Sequence, residues 1–163
     1  MMTWMFIERC LWAAVAALGF ATLFTVPVRA FWAVALLAII GYGLRGVGMM
    51  YGLNLVIATL IASCTMGLLA IQLAHWVHTP TTVFMAPAVI PMVPGVFAYR
   101  TMMGLLEISS NSSAPVELLS STANSGLVAM FTLLALAVGV SLPSLLFKNK
   151  SVKEIRFIGR ARV

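Results

Sequence analysis

The stretch LVIATLIASCTMGLLAIQLAHWV, residues 55–77, has no Lys, Arg, Asp or Glu in twenty-three positions. Coiled as a helix it is about 34 Å long, enough to cross a hydrocarbon core of about 30 Å. Ala58/Ala62, Ser63/Gly67 and Ala70/Ala74 repeat a small residue every four positions. That spacing lets a second helix approach closely within a membrane. The rest of the chain has the same character. Of 163 residues, 62% are hydrophobic and 9% charged, with a mean hydropathy of +1.06, against about 45–50% and about 25% in soluble domains. One water-facing globule could not hide that much apolar surface, so a soluble enzyme is excluded. Disorder needs the opposite composition. The class is an all-α, polytopic membrane helix bundle.

Upstream, Cys10 to Val28 is nineteen residues without a charge, about 28 Å as a helix. Glu8 and Arg9 mark its expected start and Pro27 its end, with Trp4 and Trp12 suited to the interface. A net-neutral start and a second apolar run at once from Ala30 argue against a signal peptide. The second segment, Ala30 to about Met50, holds Gly41, Gly43, Gly46 and Gly48 with Arg45 among them. Its uncharged part ends at Leu44 after about 22 Å, which sets Arg45 near an interface or in a polar cavity. Gly52-Leu53-Asn54 reads as a turn with Asn54 as helix N-cap.

Downstream, Thr79-Pro80, Pro87, Pro91, Pro94 and Gly95 interrupt an apolar stretch. Proline removes a backbone donor and clashes with the preceding turn, so no single straight helix fits. The expectation is a half-helix over Thr82–Ile90, a break at Pro91–Gly95 and a second half over Val96–Ile108. Broken backbone survives in lipid only against protein or a water-lined cavity, and such breaks mark substrate sites in many secondary transporters. Arg100 and Glu107 share a face of the second half, about 10 Å apart and too distant to pair. Ser109–Pro115 reads as a loop, with Asn111-Ser112-Ser113 a weak glycosylation match. Leu118–Phe147 is thirty uncharged residues, longer than a bilayer needs, and its polar first turns suit water or a partner. With the broken region as one crossing the count is five; as a re-entrant loop, four.

The formal charge of +6 is unevenly spread: the last sixteen residues carry +5 and the other 147 only +1. Residues 1–147 are therefore the transmembrane domain and 148–163 a basic cytoplasmic tail, held inside by the positive-inside rule and by anionic lipids. Nucleic-acid binding would need a folded basic face or interleaved aromatics, and neither is present. Cys10 and Cys64 read as small hydrophobes rather than a disulfide or metal pair. His75 and His78, beside Trp76, read as an interface belt. No nucleophile–base pair and no metal-ligand set is recognisable, so the expectation is no enzyme, no metal and no cofactor.

Several strings together resemble one family: Gly19-Phe20-Ala21, Val26-Pro27-Val28-Arg29-Ala30, Gly41-Tyr42-Gly43 with Arg45, Gly52-Leu53-Asn54, and Val89-Ile90-Pro91-Met92-Val93-Pro94-Gly95 with Tyr99. In this order they are similar to the threonine/serine exporter family, specifically its small all-membrane subunit of the YjjB type. The resemblance runs from about Leu18 to the basic tail, and the proline string is its most specific element. It implies a bacterial inner-membrane exporter of small carboxylates, either threonine and serine or dicarboxylates such as succinate. It also implies a larger partner subunit of the YjjP type. A homo-oligomer stays open. Arg100 departs from the family pattern, which leaves a charge where an uncharged residue is usual.

A carboxylate crossing hydrocarbon needs donors in place of water: guanidinium groups, half-helix N-termini and freed N–H groups. The candidates for binding or gating are Arg29, Arg45, Asn54, Pro91, Pro94, Gly95, Tyr99 and Arg100, with Gln72 and Asn124 as polar liners of lower weight. Arg29 and Arg45 also read as helix-end anchors. Proton coupling needs a titrating group within the membrane. The chain has no Asp, and Glu107 and Glu117 flank a loop, so a coupling carboxylate is expected on the partner. An assembly subunit without substrate contact and a passive anion channel are the alternatives.

Overall fold

A computed structural model describes the backbone of residues 2–110 and 115–158 and the side chains of 4–110 and 115–146. The Asn111-Ser112-Ser113 match and the charges of the basic tail lie outside the residues so described. The described backbone is helical: α1 (Met2–Leu23), α2 (Phe31–Met50), α3 (Leu55–Val77), α4 (Thr81–Val89), α5 (Gly95–Ser110) and α6 (Val116–Ile158). Short 3-10 turns, Val28–Ala30 and Ile90–Met92, precede α2 and follow α4. Four of these helices are long and apolar enough to cross a membrane, and α4 with α5 forms a pair bent by 60°.

Punctuation residues set the joints. Thr25 at φ 52° ends α1, and Pro27 caps the turn that leads into α2. Gly52 at φ +82° turns the chain into α3, where Asn54 caps the first turn. His78 at φ 52° ends α3. One expected boundary moves. α1 begins at Met2, not beyond Arg9, so Glu8 and Arg9 are helical residues rather than end markers. α6 continues past Phe147 to Ile158, helical through Pro143. At 43 residues it is about 64 Å long.

Small residues set the registers. Gly43 faces Cys10 and Gly46 faces Phe6, so α1 and α2 are antiparallel. Gly48 meets Ala58 and Gly41 meets Met66, which pairs α2 and α3 antiparallel. Gly139 lies on Ser63 and Gly67 on Pro143, so α6 runs parallel to α3. The Ser63 hydroxyl donates across that seam to the Ala135 carbonyl at 3.1 Å. Gly104 meets Thr122 and Gly126 meets Thr101, so α5 is antiparallel to α6. Since α3 and α6 point the same way, the bent pair must carry the chain back between them. Counted as one candidate span, the pair brings the total to five.

The core is packed around α4. Phe84, Met85, Pro87 and Ala88 are buried among Val34 and Leu37 of α2, Met66 and Ala70 of α3, and Ala17 and Ala21 of α1. Helix α4 lies obliquely through the bundle from the end where Arg29 sits toward the end where Arg45 sits, and α5 then stands along α6. This places the break between the half-helices at the Arg45 end.

Candidate functional site

At that end α1, α2 and the α4–α5 break enclose an open cleft of about 560 Å³. Helix α1 contributes Phe6 and Arg9, α2 contributes Tyr42, Arg45 and Gly46, and the break contributes residues 93–97. Gly46 of α2 explains how Phe6 of α1 comes so close. A methyl group at Gly46 would sit 2.5 Å from the Phe6 ring, and at Gly43 3.7 Å from Cys10 Sγ. Only a bare backbone leaves room for Phe6, and with Phe6 seated there Arg9 falls on the cleft wall.

Arg45 repairs the broken backbone. Its Nη1 donates to the Met92 carbonyl at 2.6 Å. In an unbroken helix that carbonyl would accept from the residue four positions on; here α5 begins only at Gly95, and the guanidinium takes the vacant place. The same guanidinium lies 5.1 Å from the centre of the Tyr42 ring, within cation–π range. Of its five N–H groups, most remain for a ligand.

The first turn of α5 supplies the other donors. Gly95 N–H is turned back onto the Val93 carbonyl at 2.9 Å, and Ala98 N–H closes the first helical bond, to Pro94, at 3.1 Å. Val96 and Phe97 therefore carry N–H groups with no backbone acceptor among the described residues, and both line the cleft. A helix N-terminus of this kind holds roughly half a positive charge. Arg9, Arg45 and a helix N-terminus thus share one cleft whose lining, among the described residues, contains no carboxylate. Such a lining attracts anions.

The sequence-predicted residues are distributed unevenly about it. Arg45, Pro94 and Gly95 line the cleft, and Pro91 lies in the 3-10 turn just ahead of it. Asn54 is the α3 cap, its Oδ1 accepting from Val56 N–H at 3.4 Å, next to the cleft-lining Leu55. Arg29 is at the opposite end, where its Nη2 donates to the His78 carbonyl at 3.2 Å; sixteen residues of helix put it about 24 Å from Arg45. Tyr99 and Arg100 are exposed on α5, Gln72 on α3 and Asn124 on α6, all outside the lining. Arg9, Phe6 and Tyr42 were not among the predicted residues. The i,i+3 spacing of Tyr42 and Arg45 was a readable signal for Tyr42. Arg9 had none, because its charge reads equally as a helix end. Among the described residues no three His, Cys, Asp or Glu side chains gather as a metal site would require.

With this geometry in view, the comparisons with known proteins are specific. A family model described as "Threonine/Serine exporter, ThrE" matches residues 9–146, which takes in every lining residue of the cleft except Phe6. No solved structure matches the chain.

Proposed function

The chain belongs to the threonine/serine exporter family, and from that premise we propose that it is the membrane subunit of a two-component secondary exporter of small carboxylates. The substrate carboxylate binds in the cleft at the α4–α5 break. One observation carries this reading: Arg9, Arg45 and the free N–H groups of Val96 and Phe97 face one cleft with no acidic side chain in its lining. An α-ammonium group would find no counter-charge there, whereas two guanidinium groups suit two carboxylates. A dicarboxylate of the succinate class therefore fits better than zwitterionic threonine or serine.

The protein sits in the bacterial inner membrane, with the basic tail in the cytoplasm. The cleft, at the other end of the bundle, then opens outward, and the arrangement is that of a substrate about to leave. Glu8, Glu107 and Glu117 are all absent from the cleft lining, which supports placing the coupling carboxylate on the larger partner subunit.

The test is substrate transport in proteoliposomes holding this chain with and without the larger subunit. Removing one charged donor from a carboxylate costs about 1.5–3 kcal/mol, so Arg45→Gln and Arg9→Gln should each raise KM about 10- to 150-fold. Unchanged KM in both variants refutes the site. Full activity from this chain alone refutes the two-component arrangement. Loss of subunit assembly instead of transport would make the cleft a scaffold, and transport only down a gradient would make the protein a channel.

A further inference from the structure

The registers leave one part of the molecule unsupported. Ser63 with Gly139 and Gly67 with Pro143 fix an offset that sets Phe131 level with Leu55, the first residue of α3. The fifteen residues of α6 before Phe131 therefore extend about 22 Å past the end of the bundle. Helix α5, antiparallel to them, stands beside them over the same length. This hairpin packs on itself and has only marginal contact with α1–α4. Its own interior is small: Gly104, Thr122 and Ala129 are its buried residues among those of 95–110 and 115–131.

Neither water nor lipid suits its outer surface. Tyr99, Met103 and Leu106 are 65%, 48% and 50% exposed on the side of α5 turned away from α6, a patch too apolar for water. Arg100, Glu107 and Glu117 are exposed on the same hairpin, and charges are costly in lipid. The surface has the composition of a protein interface. A second copy of this chain does not complement it. Copies sharing one membrane orientation are related by an axis along the membrane normal, so each residue keeps its depth and meets residues of about that depth. At the depth of Arg100 a second copy's hairpin offers no acid, since Glu107 and Glu117 lie about 10 and 15 Å higher.

We propose that this hairpin is the docking arm for a second, non-identical membrane polypeptide, which lays apolar helix surface on Tyr99, Met103 and Leu106 and presents a carboxylate to Arg100. The inference rests on the two-component reading, under which that polypeptide is the larger exporter subunit. It gives Arg100 a role outside the substrate cleft.

The test uses the full chain co-expressed with the larger subunit. A photo-crosslinking residue is placed by Met103→p-benzoylphenylalanine on the hairpin and by Trp76→p-benzoylphenylalanine at the far end of the bundle. The expected result is an adduct with the larger subunit from position 103 and none from 76. Arg100→Glu should lower the co-purified larger subunit at least about tenfold, with Arg100→Lys retaining most of it. An adduct between two copies of this chain overturns the inference. So does adduct formation with lipid alone while the subunits still co-purify, which leaves the two-component reading standing. Failure of the wild-type subunits to co-purify at all overturns both.

Discussion

Replacing Gly67 with alanine tests the seam between α3 and α6 directly. A methyl group there would lie 2.8 Å from Pro143 Cγ, 3.2 Å from the Val140 carbonyl oxygen and 3.3 Å from that of Gly139. None of these atoms can swing aside, since the first is in a ring and the others are backbone. Helix α6 must retreat by several tenths of an ångström, which stretches the Ser63 hydroxyl bond to Ala135. Overpacking of this kind costs about 1–3 kcal/mol, offset by about 0.8–1 kcal/mol of better helix propensity. The net loss is about 0–2 kcal/mol, or a Tm lower by up to about 8 °C in a chain of this size, and relative to a methyl group added where nothing clashes the deficit is the whole overpacking cost. Gly19→Ala is the control. Nothing lies within 4 Å of a methyl group at Gly19, so only the propensity gain remains and Tm should hold or rise. Both are read by thermal unfolding of the purified protein in one detergent. A double-mutant cycle with Pro143→Ala should show coupling between positions 67 and 143. If Gly67→Ala melts no lower than Gly19→Ala, or the cycle shows no coupling, the parallel packing of α3 on α6 is wrong.

Three further outcomes follow from the geometry. Ser63→Ala removes one hydroxyl bond between helices and should cost about 0.6 kcal/mol, seen as a small fall in Tm without change in transport KM. Arg29→Gln should leave KM within about twofold of wild type, because its charge sits about 24 Å from Arg45, well beyond a Debye length; a change as large as that of Arg45→Gln would relocate the site. Tyr42→Leu should raise KM about two- to fivefold by removing a cation–π contact worth about 0.5–1 kcal/mol, whereas Tyr42→Phe keeps the ring face and should behave as wild type.

Helix α3 could be read to its last residue because its run is uncharged, capped by Asn54 and closed by the turn before Pro80. The interrupted helix was equally legible, since proline chemistry forbids a continuous one: the expected half-helices over 82–90 and 96–108 are α4 (Thr81–Val89) and α5 (Gly95–Ser110). The start of α1 was not legible. A charge beside an apolar run marks where the apolar span stops, not where the helix stops, and the exposed Glu8 and Arg9 sit in helical turns that continue beyond it. The glycines of α2 announced close packing without saying against what; Phe6 and Cys10 answer that, and no spacing rule relates them. For the candidate site, Arg45, Pro94 and Gly95 were legible as donors and backbone break. That Arg29 and Arg45 could not share a site was also available from sixteen residues of helix rise. The partnership of Arg9 with Arg45 depends on α1 and α2 lying antiparallel, a tertiary fact that neither segment states.

The alternation of helix directions has a consequence for how this chain can be joined to another. Helices α3 and α6 run in the same sense and α1 runs with them, so the start of α1 and the end of α6 lie at opposite ends of the bundle. Any polypeptide spliced ahead of α1 must finish on the face where the cleft opens, and any spliced after α6 must start on the other. A tether linking this chain to a second membrane chain is thus constrained by parity. Joined in one order, the second chain needs an exit on the cleft face; joined in the other, it needs an entry on the tail face. A linker of any length that ignores this would invert one of the two.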